Sequence, residues 1–113
     1  MTIKWVKVDP LVMRGEPFCY GTRLTVRQLL EMRRDGNDVA QLLREHPSLR
    51  PVGIAAAYRY AADHHEFYAG FFDRKGALLG PGFTEVEAAL LPDELRLPGV
   101  VVAMPKAATR SKA

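Results

Sequence analysis

The 113-residue sequence predicts a mainly α fold: a three-helix helix-turn-helix bundle with a short N-terminal β-hairpin and an extended C-terminal segment. Three observations predict it. Apolar residues recur at spacings of three and four between about residues 26 and 65, the period of helices with one buried face. Helix punctuation falls at the edges of those runs, with Thr25, Gly36, Pro47 and Pro51 in place. The chain before residue 25 and beyond residue 70 lacks that period and is rich in turn residues.

Ile3 to Val8 alternate imperfectly between apolar and polar and end at Asp9-Pro10, a short strand running into a turn. Phe18-Cys19-Tyr20 reads as a second strand, with the turn residues Arg14-Gly15-Glu16-Pro17 before it and Gly21 after it. Thr25-Val26-Arg27-Gln28 fits a capping box, in which the threonine oxygen accepts from the N–H three residues on and the glutamine reaches back. The first helix is therefore expected over 26–35, burying Val26, Leu29 and Leu30 and closing at Gly36. Asn37 is the expected N-cap of a second helix over 38–46, with Asp38 at the positive end of its dipole and Val39, Leu42 and Leu43 as its stripe. A third helix is expected to start at Pro51 and to run to about Ala69, with Ile54, Ala57, Tyr58 and Ala61 facing inward. Beyond Gly70 glycines and prolines interrupt every apolar run. Thr84 to Glu87 is a second capping box that can open a two-turn helix to Leu91, and Val100-Val101-Val102 is a strand only if something pairs with it. The chain thus divides into 1–70, the helix-turn-helix domain with its β element, and 71–113, a partner-binding or self-packing segment with a basic tail expected to be disordered.

Composition excludes several classes. With 48% apolar and 26% charged residues, wholesale disorder and fibrous architecture are ruled out, and the length suits one core. No apolar run reaches the roughly 18–20 residues a bilayer span needs, and Lys4 and Lys7 break the N-terminal stretch, so a cytoplasmic protein with no membrane partner is expected. Cys19 stands alone, without a CxxC or Cys/His cluster. His46, His64 and His65 lack a HExxH spacing, and the adjacent pair points about 100° apart on a helix, so no metal site is expected. No Gly-rich phosphate loop, GxSxG or helix-borne carboxylate pair occurs, so neither an enzyme nor a cofactor is expected. The net charge of +3 is uneven: residues 1–34 hold seven Lys/Arg against three acids, and residues 35–70 hold three against five. Positive potential therefore gathers in the N-terminal part, compatible with a phosphate-facing surface.

A supporting helix, a short second helix, a four-residue turn and a longer third helix are the parts of a helix-turn-helix, whose last helix enters the major groove. One narrower pattern runs through about residues 5–65: Asp9-Pro10, Gly15-Glu16-Pro17, Gly21-Thr22-Arg23-Leu24-Thr25-Val26, Gly36, Leu42-Leu43, His46-Pro47-Ser48-Leu49, and Ile54-Ala55-Ala56-Ala57 with Tyr60-Ala61. On these residues the chain resembles the bacterial and archaeal family catalogued as domain of unknown function 433, whose members look like VapB-type antitoxins. The resemblance implies a homeodomain-like bundle with a small β element, acting as the DNA-binding half of a type II toxin–antitoxin pair. It further implies binding to the protein's own operator and neutralisation of a toxin, usually a PIN-domain ribonuclease. The sequence departs from the family where Arg50 and Gly53 replace the capping residue and following acid of the third helix, at a cost of roughly 1 kcal/mol each, partly offset by Pro51.

The candidate DNA-binding residues are Arg23, Arg50, Arg59, Lys4 and Lys7. Arg23 either touches a phosphate or holds its own loop. Arg50 lies at the mouth of the third helix, within reach of a phosphate. Arg59 is expected on that helix's outer face with Ala55 and Ala56, where small residues admit base edges, or else on a solvated face. Lys4 and Lys7 either follow the DNA backbone or keep an edge strand soluble. The candidate partner-binding residues are Phe71, Phe72, Phe83, Leu90, Leu91 and Val101, too apolar for a segment without a core of its own. They either wrap this bundle or a second copy, or wait for the toxin. One such module makes few phosphate contacts and binds non-specific DNA at only about 10−4 to 10−6 M, so a homodimer on a two-fold site is expected. The rival reading is a protein-interaction adaptor that keeps the helix-turn-helix scaffold without binding DNA.

Overall fold

The computed structural model describes residues 5–103. Strand β1 (Val6–Lys7) pairs antiparallel with β2 (Phe18–Cys19), Val6 opposite Cys19 and Lys7 opposite Phe18. A 3-10 turn at Met13–Gly15 connects them, and there Met13, Arg14 and Gly15 take successive positive φ values.

Helix α1 (Val26–Arg34) opens on the expected capping box: the Thr25 hydroxyl accepts from the Gln28 N–H at 3.0 Å, and the Gln28 side chain accepts from the Thr25 N–H at 2.9 Å. It closes in a Schellman motif. The Gly36 N–H donates to the Arg33 carbonyl and the Asn37 N–H to the Met32 carbonyl, with Gly36 at φ +104°. That motif corrects the expected cap of the next helix. Asn37 is committed to ending α1, its side chain also donating to Met32, so Asp38 instead caps α2 (Val39–Glu45) by accepting from the Gln41 N–H at 2.8 Å.

Helix α3 (Pro51–Asp63) begins with Pro51 at its first position and no side-chain cap from Arg50. It stops short of the expected Ala69. The His64 N–H donates to the Tyr60 carbonyl, the His64 ring stacks on Tyr60 at 4.0 Å, and 3-10 turns follow at His65–Phe67 and Ala69–Phe71. The reason is burial: folding back brings Tyr68 and Phe71 against α1, where Arg27 lies 5.0 Å from the Tyr68 ring and Arg34 4.8 Å from the Phe71 ring. A straight continuation would carry both rings away from the core.

Helix α3 is the centre of the molecule. It touches α1, α2, both strands and a 3-10 turn at Asp93–Leu95, and Gly53, Ile54, Ala55, Ala57, Tyr58 and Ala61 are buried. Gly53 lets the hairpin close on it; a Cβ there would stand 3.6 Å from the Trp5 ring.

The segment after Gly70 joins the same core. Leu78, Phe83, Ala88, Leu91 and Val101 cluster with residues from Cys19 to Phe71. Val101 and Val102 do find a pairing partner, because Phe83 donates to the Val101 carbonyl and accepts from Ala103, both at 2.9 Å. The second capping box is present, with Thr84 and Glu87 opening α4 (Glu85–Ala88), which is one turn long rather than two. Among the described residues the domain is thus small and mainly helical, with four α-helices and a two-stranded antiparallel sheet. Among the described residues no helix is long and apolar enough to cross a membrane.

Candidate functional site

Helix α3 carries the residues expected to face DNA, and its surroundings decide what it can do. Ala55 is fully buried, against its expected place on the outer face. On its less buried side, Ala56, Arg59, Tyr60 and Asp63 line a shallow groove together with Trp5, Val6 and Leu95. Arg59 is held there by its own chain: it pairs with Asp63 at 3.5 Å and donates to the Glu94 carbonyl. The rest of the candidate basic set is scattered. Arg50 is exposed at the N-terminal end of α3, about 13 Å along the helix from Arg59 at 1.5 Å per residue. Arg23 is exposed beside Ser48 in an open depression lined by Val12, Phe18, Gly21 and Thr22. Lys7 lies over the Tyr20 ring, its ammonium 5.2 Å from the centroid. Lys4 falls outside the described residues.

The candidate partner-binding set is mostly spent on the protein itself. Phe71, Phe83, Leu91 and Val101 are buried in the core, and Phe72 is half-buried with its ring 4.4 Å from His65. Of the six only Leu90 is presented to solvent, at 89% exposure. Over residues 71–103 the apolar side chains of the expected partner-binding segment thus mostly complete this fold.

Two other apolar surfaces remain. Val8, Leu11 and Phe67 are all exposed, Leu11 almost fully at 95%. Val8 and Phe67 border a depression of about 270 Å3 whose walls include Pro17, Tyr60 and Tyr68, with Glu16 and Arg27 paired at 3.9 Å on its rim. The second is a groove of about 380 Å3 at the N-terminal end of α3, lined by Trp5, Leu43, Val52, Phe83, Leu90 and Leu91; Leu90, two residues past the end of α4, and Val86 within it are both largely exposed.

One buried residue had no assigned role in the sequence reading. Arg33 is 1% exposed, with its guanidinium 4.7 Å from the Tyr58 ring and its donors aimed at the carbonyls of Leu78 and Gly80, both at 3.4 Å, and of Val100. Burial lowers its pKa from the usual arginine value, and among the described residues no carboxylate pairs with it. The signal was available: Arg33 falls on the same helical stripe as Val26, Leu29 and Leu30. Its role is to fasten the C-terminal segment to α1.

Cys19 is buried, its thiol donating to the Gly53 carbonyl at 3.7 Å, and burial pushes its pKa up to about 12. A thiol so protonated is a packing element and a poor nucleophile. Among the described residues no three of His, Cys, Asp and Glu come together as metal ligands.

No curated protein and no solved structure matches the chain. A family model does, over residues 6–61, and that stretch contains the hairpin, α1, α2 and most of α3. By that match the chain belongs to the family described as "Protein of unknown function (DUF433)".

Proposed function

We propose that this protein is a protein-recognition adaptor, the partner-binding half of a two-protein pair, and that its three central helices are a helix-turn-helix scaffold used for support and not for reading DNA. The observation that carries this reading is the enclosure of α3. A recognition helix must stand clear of its own domain to enter a major groove about 12 Å wide. Here Ala56, Arg59 and Asp63 share one depression with Trp5, Val6 and Leu95 of the same chain, and Arg59 is already engaged by Asp63 and Glu94. The partner docks on Val8 and Phe67, because apolar side chains bordered by polar ones, here Glu16 and Arg27, are the make-up of a protein interface. In the antitoxin role implied by the family resemblance, the partner is a PIN-type ribonuclease, neutralised at this surface.

Operator binding has one observation in its favour. Arg23 is exposed beside Ser48 and makes no ion pair among the described residues, so it is free to meet a phosphate. Two measurements separate the readings. Co-expression with the product of the adjacent reading frame is expected to yield a stable complex that Val8→Asp or Phe67→Asp abolishes, while mobility shifts with the upstream DNA show no sequence preference. Tight, salt-sensitive and sequence-preferring retention, lost in Arg23→Ala, together with no complex, would replace the adaptor by a DNA-binding protein.

A further inference from the structure

The groove at the N-terminal end of α3 carries both halves of a contact on one face. Leu90, at 89% exposure, stands on the wall of a depression also lined by Trp5, Val39, Leu43, Val52 and Phe83, and Val86, four residues earlier, is 83% exposed. The charged residues bordering that depression are Arg50 and Glu87, which make no ion pair with one another although they line the same groove. Glu87 uses one carboxylate oxygen to cap α4, so the other remains to accept from a cation.

We infer that this face is a two-fold interface between two copies of the chain, in which Leu90 of each copy seats in the groove of the other and Arg50 of each meets Glu87 of the other. A two-fold contact joins a patch to itself, so the patch must hold protrusion and hollow together and charges of both signs in balance. This one holds all four. The surface around Val8 and Phe67 shares no lining residue with this groove, so this inference stands independently of the proposed partner.

The test is sedimentation of the full chain over about 1 to 200 μM, a range that brackets a micromolar dissociation constant. The wild type is expected to pass from monomer to dimer, with a blue shift in the fluorescence of Trp5, the chain's one tryptophan. Leu90→Asp removes no buried atom and is expected to weaken the dimer at least about tenfold and abolish the shift. Arg50→Glu and Glu87→Arg should each be monomeric alone and form a mixed dimer together, because only the mixture places opposite charges at both contacts. A wild type that stays monomeric throughout overturns the inference, whatever else covers the groove, as does a dimer indifferent to Leu90→Asp and to the charge exchange.

Discussion

Arg33 shows how one side chain settles the geometry of a distant segment. A guanidinium in the core requires acceptors, and three carbonyls spread over residues 78–100 supply them. The chain passes so close that a Cβ on Gly80 would stand 1.9 Å from the Arg33 carbonyl oxygen, and one on Gly82 2.6 Å from that of Val101; Gly80 also sits at φ +90°. Cys19 and Tyr58 illustrate burial of a titrating group. Burial holds both near a pKa of about 12, above their ordinary values of 9.0 and 10.0, while Arg33 beside Tyr58 opposes that rise without cancelling it. Both groups are neutral below pH 9 in either state, so their contribution is complete there. As the pH climbs from 9 towards 12 the unfolded chain loses these protons and the native protein keeps them, and stability falls by up to roughly 1.4 kcal/mol per pH unit for each group. Urea unfolding at about pH 8 and about pH 10.5 should show this drop, and Cys19→Ala should shrink the difference whatever it does to the level.

At the level of elements, the caps were legible because they are local. A threonine followed three residues later by Gln or Glu carries its whole meaning within four positions, and both Thr25 and Thr84 open helices as read. Thr25→Ala leaves the Gln28 N–H without its acceptor and should cost about 1 kcal/mol, seen as a Tm lower by several degrees. The end of α3 was not legible in this way. Its apolar period continues through Phe67 and Tyr68, and nothing local says that the rings must fold back onto α1 to be buried. The cap of α2 moved by one residue for a related reason: Asn37 and Asp38 are equally good caps, and the choice fell to Asp38 once the Schellman motif had claimed Asn37.

On the scale of the whole molecule, residues 71–103 complete a core that residues 5–70 leave open. Phe83, Leu91 and Val101 each stand to lose about 1.5–3 kcal/mol of burial, a sum comparable with the stability of a small domain, and Arg33 would lose its acceptors as well. A chain ending at Gly70 is therefore expected to lose its cooperative thermal transition and its near-ultraviolet dichroism; a sharp transition within a few degrees of the full chain would show that the first 70 residues fold alone. The sequence by itself determined that the hairpin and the three central helices form, where both capping boxes lie, and the family, because hydrophobic period and turn chemistry act between residues a few positions apart. Only the tertiary structure decided which faces stay free. That Arg59 reaches the Glu94 carbonyl and that the Phe83 ring packs on Tyr58 depend on segments 25 to 35 residues away in the chain, whose mutual approach no local pattern encodes.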